Sequence, residues 1–270
     1  MGIPVQQSLL LQRTFLPLAA RFLYRHPMKI PRLRRLWREH VEWFKTLSQV
    51  SGQALERLGG VYLELHKDIY FRQLKRWTGS EIEGWPGVPP YAYIYYTLVR
   101  AVKPEVVVET GVEHGVSSQV ILLAMNRNGR GALHSIDLPN QDVVVDQAGK
   151  RQRDIMPNGC ETGWVVQPHL RNRWHLHLGD AKEILPNLLS TLGSIDIFIH
   201  DSLHSYEHMW FEFRTAWPHL RSGGLLLSDD ISWNTAFSEF ARQVNSPAQA
   251  FKEQAGTAFA PRTGVIRKRM

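Results

Sequence analysis

From residue 90 onward the chain alternates between two hydrophobic periods. Short apolar runs, VVVE (106–109), LHSID (133–137), WHLHLGD (174–180), IDIFIHD (195–201) and GGLLLSDD (223–230), read as buried strands. Between them, YAYIYYTLVRAV (91–102), SSQVILLAMNRN (117–128), AKEILPNLLSTLG (181–193) and SYEHMWFEFRTAWPHL (205–220) carry helical spacing. Strands alternating with helices of this length predict an α/β fold: a doubly wound, mostly parallel sheet of seven strands with helices on both faces. TAFAPRTGVIRK (257–268) is expected to add a late antiparallel strand at the sheet's edge.

The texture before residue 90 differs. Residues 1 to about 58 look helical, and PRLRRLWREHVEWFKTLSQ (31–49) places Leu33, Leu36, Trp37, Val41 and Phe44 at three-to-four spacing. GSEIEGWPGVPP (79–90) is a Gly/Pro-rich break. The chain is therefore divided into a basic helical extension, 1–88, and an α/β domain, 89–270.

Charge sharpens that division. The net charge is +7 and the pI about 9.6, yet Arg13, Arg21, Arg25, Lys29, Arg32, Arg34, Arg35, Arg38 and Lys45 all fall in the first fifty residues. Three readings of the extension stay open: a helix packed on the main domain or on a second copy in a homo-oligomer, a peripheral membrane-surface helix, and an RNA contact. DNA is not expected as a partner. No apolar stretch approaches the roughly 20 residues of a spanning helix. The single cysteine, Cys160, excludes an intramolecular disulfide framework. A soluble, cytoplasmic protein is expected.

The strand ends carry the chemistry. They finish in Glu109, Asp137, Asp180, Asp201 and the pair Asp229–Asp230. In a parallel sheet these ends share one edge, where ligands bind. Any single acid could cap a helix, but crowded carboxylates repel unless they hold something cationic or rich in hydroxyls. ETGVEHGVSS (109–118) is a glycine-bearing strand-to-helix turn in which Gly111 and Gly115 permit close backbone approach, with Ser117 and Ser118 at the helix start. It lacks the G-x-G-x-x-G of a nicotinamide fold. Asp137, at the end of the next strand, stands where an acid binds ribose hydroxyls.

VVVETGVEHGVSS, HSIDLP, HLGDAKEILPNLL, IDIFIHDSLHSYEH and GGLLLSDDI, in that order, resemble the class I S-adenosylmethionine-dependent methyltransferases. The likeness is strongest to the branch of small-molecule and sugar O-methyltransferases related to the macrocin and mycinamicin enzymes. It covers about residues 90–232. It implies that Glu109, Gly111, Gly115 and Ser117 hold the amino acid part of S-adenosylmethionine, that Asp137 binds its ribose, and that Asp180 and Ala181 border the adenine. It also implies that Asp201, Asp229 and Asp230 hold a divalent metal, Mg2+ being the expected ion, and that His204 is the catalytic base beside Asp201. IHDSLHSYE stands where the family more often has D-G-D-H. QDVVVDQAGKRQRDIMPNGCETGW (141–164) is long for its position and is expected to form a substrate-facing flap.

The implied chemistry suits these residues. A sulfonium methyl donor is already electrophilic, so the enzyme must align a small-molecule acceptor and remove its proton. Oxygen ligands suit magnesium, and an imidazole with a pKa near neutrality suits proton removal. His200, His208, Trp164, Trp174 and Trp233 read mainly as structural, with one tryptophan a candidate wall for the acceptor. His175 and His177 share a strand face but lack a third zinc ligand. Two other functions remain open: a relative with hydroxylase-like chemistry, and an RNA methyltransferase or nucleic-acid binder using the basic front end. The latter lacks the Asn/Asp-Pro-Pro-Tyr motif of base methyltransferases, since the PPY at 89–91 precedes the first strand.

Overall fold

The computed structural model describes residues 42–80, 89–138, 144–145, 151–152, 160–255 and 258–269. The basic segment 1–41, the break 81–88 and most of the expected flap lie outside the described residues.

Among the described residues four helices come first: α1 (42–51), α2 (Leu55–Lys67), α3 (Ile69–Ser80) and α4 (Pro90–Val102). The α/β part follows as β1 (Val106–Thr110), α5 (Val116–Asn128), β2 (Ala132–Asp137), β3 (Trp174–Leu178), α6 (Ala181–Leu192), β4 (Ile195–His200), α7 (Tyr206–Ala216), β5 (Leu220–Ser228), α8 (Ala236–Gln243), β6 (Ala248–Ala255) and β7 (Ala258–Arg267). A separate two-residue pairing joins Val144–Val145 to Arg151–Gln152. The main sheet has seven strands in the order β3-β2-β1-β4-β5-β7-β6. Strands β1 to β5 pair in parallel, and β7 runs antiparallel to both of its neighbours. This is the doubly wound sheet that the alternating pattern predicts.

Alternation along the strands explains why both faces are covered. Val107, Ile197, Ile199, Leu225 and Leu227 join one buried cluster, which includes α4 and α5. Val108, Phe198 and Leu226 join the opposite cluster with α6, α7 and α8. Trp43, Phe44, Leu47, Leu58, Leu65, Phe71 and Leu74 belong to the first cluster. The described part of the N-terminal helices thus shares its core with one face of the sheet.

Two boundaries move. Segment 257–268 forms the antiparallel strand β7, but β6 takes the edge and β7 lies second from it. The residues of β6, AQAFKEQA, are mostly helix formers by intrinsic preference. They become a strand because eight of them pair along β7, with Phe251 fully buried. Helix α7 stops at Ala216 and continues as a 3₁₀ turn, Trp217–His219, because Pro218 cannot extend an α-helix. Among the described residues no helix is long and apolar enough to cross a membrane.

Candidate functional site

The carboxyl ends of β1 to β5 bring the strand-end acids to one edge. Glu109 is buried, and its Oε1 accepts from the hydroxyls of Ser118 and Ser135, the latter at 2.7 Å. Trp174 Nε1 in turn donates to Ser135 Oγ at 2.7 Å, fixing that hydroxyl. Burial raises the Glu109 pKa to about 7 against the opposing serines, Ser117 included. Oε2 is buried and has no hydrogen-bond partner among the described residues.

The turn after β1 is packed too tightly for side chains. Gly111 has φ +85°, and a Cβ there would stand 2.0 Å from the Asp201 carbonyl oxygen. Gly115 has φ +86° and leads into α5, and a Cβ on it would meet Gly163 Cα at 2.7 Å. The backbone of 160–167 straps this turn: Gly163 N–H donates to Glu113 O at 2.8 Å and Val165 N–H to His114 O at 3.2 Å. Trp164 Nε1 donates to His114 Nδ1 at 2.9 Å. Asp137, half-buried at the end of β2, accepts from the Glu113 N–H through Oδ2 at 3.0 Å. Asp180 caps α6 by accepting from Lys182 N–H at 2.8 Å, and Ala181 is the buried first residue of that helix. These seven positions, Glu109, Gly111, Gly115, Ser117, Asp137, Asp180 and Ala181, border the β1–β2–β3 half of the edge.

The other half holds the remaining acids. Asp201 follows β4, with its side chain 23% exposed. Burial, Asp229, Asp230, Glu113 and Glu109 together raise its pKa well above the carboxylate range. Asp229 is raised by burial and by Asp230, and its Oδ1 accepts from Thr263 Oγ1 at 3.1 Å. Asp230 does not stand open. Arg262 Nε and Nη2 reach its Oδ1 at 2.9 and 2.7 Å. Among the described residues no three His, Cys, Asp or Glu side chains are arranged to hold a metal.

His204 Nε2 lies 3.7 Å from Asp201 Oδ1, as the Asp-to-His spacing predicts. Its basicity differs from the expectation. Burial, then His200, push its pKa down to about 3, with Arg262 and His208 adding to this, so it is neutral rather than poised near pH 7. The indole of Trp233, 62% exposed, lies 5.2 Å from the His204 ring.

Behind this pair stands a buried carboxylate, Glu212, that no strand end marks in the sequence. Glu212 accepts from Thr110 Oγ1 at 2.6 Å, Ser202 Oγ at 2.8 Å, His200 Nδ1 at 2.6 Å and His208 Nε2 at 2.9 Å. Burial alone would raise its pKa; His200 and His208 more than reverse this and hold it ionised. The His208–Glu212 spacing of one helical turn was the available signal. Tyr91, the tyrosine of the PPY that precedes the first strand, is buried near the acids. Burial and then Asp201, Asp229, Glu113 and Glu109 raise its pKa well above normal. Away from this edge, His134 supplies a third imidazole beside His175 and His177. The three rings stack, at 4.5 and 5.7 Å between centroids and 14° between planes, rather than converging.

Comparison with known proteins bears on the fold that carries this site. Residues 108–231 match the family described as "Methyltransferase domain". Over those residues the chain is similar to methyltransferase domains. No curated protein sequence matches the chain. Among solved structures, cofactor-bound Rv0187 from MTB is similar with a TM-score of 0.53 at 14% identity, over 75% of this chain and 91% of that one. The O-methyltransferase TomG from Streptomyces achromogenes, involved in tomaymycin synthesis and solved with SAM, gives 0.52 at 15%, over 75% and 91%. An O-methyltransferase from Bacillus cereus in complex with SAH gives 0.51 at 12%, over 75% and 92%. At these identities the likeness establishes the methyltransferase fold.

Proposed function

We propose that this methyltransferase uses S-adenosylmethionine to methylate a hydroxyl of a small molecule or sugar, as in the macrocin-like branch. The observation that carries the reading is Glu109: a nine-tenths-buried carboxylate whose Oε2 lacks a hydrogen-bond partner among the described residues, beside a glycine turn too close-packed for a Cβ. A buried acceptor left unmade costs stability, so such an atom fits a site whose donor arrives with the ligand. In this reading Gly111, Gly115 and Ser117 give the ligand's amino acid part access to the start of α5. Asp137 turns toward ribose hydroxyls, and Asp180 and Ala181 border the base beside the exposed apolar side chains of Leu138 and Leu178.

Bound there, S-adenosylmethionine supplies an electrophilic methyl group. The chain's own residues align the acceptor oxygen and hold its proton. Asp201 and His204 face the crevice as that proton's destination, with Glu212 fixing the His200 ring behind them. Trp233 offers a flat apolar wall suited to a sugar or aromatic ring. A magnesium ion on Asp201, Asp229 and Asp230 is a second reading, prompted by the acids that crowd Asp201. It requires Asp230 to leave Arg262, and no step is routed through it.

Calorimetric titration of the full chain tests the reading. One molecule of S-adenosylmethionine or S-adenosylhomocysteine should bind per chain, NAD should not, and a hydroxyl acceptor screen should follow. Absence of binding by both sulfur ligands would overturn it.

A further inference from the structure

The acid cluster needs a cation, and the structure contains one. Strand β7 delivers it by register. Ser228 of β5 pairs with Gly264 of β7, which sets Thr263 and Arg262 opposite Asp229 and Asp230. Gly264 is required for that approach, since a Cβ on it would lie 2.5 Å from the Phe237 ring and 2.9 Å from Ile231. Ile231 N–H donates to Arg262 O at 3.0 Å, locking the turn after β5 to the same strand. Asp230 itself sits at φ +45°, a backbone conformation uncommon outside glycine, and its side chain is only 9% exposed. Both guanidinium contacts converge on its Oδ1, and Thr263 Oγ1 holds Asp229.

This arrangement conflicts with a metal cage. A small divalent ion asks for several oxygen ligands converging on one point. Here one of the three acids is committed to a guanidinium, a second takes a hydroxyl, and an adjacent positive charge opposes a second cation.

We propose that Arg262 is the resident cation of this site, seated on Asp230 by the register of β7, and that the site works without a divalent ion. The inference rests on the crevice being the acceptor site of the methyltransferase.

The test uses the full chain stripped with EDTA and titrated with Mn2+, followed by electron paramagnetic resonance. The wild type is expected to show no stoichiometric Mn2+ uptake that Asp230→Asn abolishes. Arg262→Gln, which frees Asp230, is expected to gain Mn2+ affinity by about tenfold or more, and Arg262→Lys to stay metal-free. Stoichiometric uptake by the wild type, lost in Asp230→Asn, would overturn the proposal. So would a folded Arg262→Gln that takes up no more Mn2+ than wild type. If Arg262→Gln does not fold, as judged by its thermal melt, the wild-type titration still decides. Binding of S-adenosylhomocysteine by the stripped protein is measured in parallel: its loss would count against the cofactor reading, whereas Mn2+ uptake with that binding intact would count against Arg262 alone.

Discussion

Gly111 and Asp201 touch across the ends of β1 and β4, so closely that a methyl group on Gly111 would stand 2.0 Å from the Asp201 carbonyl oxygen. The contact joins the two halves of the site, the turn proposed to hold the cofactor and the acid proposed to face the acceptor. Gly111→Ala should therefore damage both. A left-handed residue with a Cβ costs about 1–2 kcal/mol before any clash, and the backbones must also separate. Thermal unfolding should fall by on the order of 5 °C, with loss of S-adenosylhomocysteine binding measured by calorimetry. Wild-type affinity in this variant would show that the turn is not part of the cofactor site.

Glu109 carries a pH signature. Its folded pKa, about 7, lies above the unfolded value of 4.5. The contribution to stability is thus fully present below about pH 4.5 and is lost as pH rises through about 7. The loss amounts to about 3 kcal/mol by the one-unit conversion. Glu109→Gln, nearly the same shape, should remove this slope and unfold at higher urea than wild type at pH 8. Urea titrations of both proteins at pH 5 and pH 8 check it, and equal slopes would show that Glu109 is ionised throughout.

The parallel half of the sheet was legible because each of its strands is a short apolar run cut by an acid. That same cut revealed Glu109, Asp137, Asp180, Asp201 and Asp229–Asp230 as occupants of one edge. Strand β6 was hidden because AQAFKEQA owes its conformation to β7 rather than to its own residues. Arg262 was hidden for the same reason: only the pairing of Ser228 with Gly264 shows that it meets Asp230. Tyr91 precedes the first strand in sequence but returns to the acids in space, which no spacing rule reports. His200 and His208 read as structural, and their bonds to Glu212 agree with that.

The stacked imidazoles on β2 and β3 predict acid sensitivity. Burial, with His175 and His177 beside it, lowers the His134 pKa from 6.5 to about 4. Its contribution to stability is present above about pH 6.5 and is lost as pH falls toward 4, the opposite sign to Glu109. His134→Phe should keep more of its neutral-pH stability at pH 5 than wild type does. Thermal melts of the two proteins at pH 7.5 and pH 5 measure the difference, and an unchanged difference would mean that His134 protonates freely in the fold.

Asp201 and His204 both follow β4, and their chemistry separates by electrostatics. Their side chains lie 3.7 Å apart. His204 is neutral, its pKa near 3, because burial and His200 oppose its charge, and so it accepts a proton weakly near pH 7. Asp201 is raised well above the carboxylate range by burial and by its acid neighbours, which makes its carboxylate the stronger base of the two. Once the hydroxyl screen supplies an acceptor, Asp201→Asn should lower the methyl-transfer rate by about 10²–10⁴ with S-adenosylhomocysteine affinity little changed. His204→Ala should cost less, and its rate–pH profile should keep the wild-type shape, because a group that stays neutral above pH 5 adds no inflection there. The profile is the discriminating measurement. A wild-type inflection between pH 6 and 7 that disappears in His204→Ala, but persists in an Asp201→Asn with residual activity, would transfer the base's role to His204.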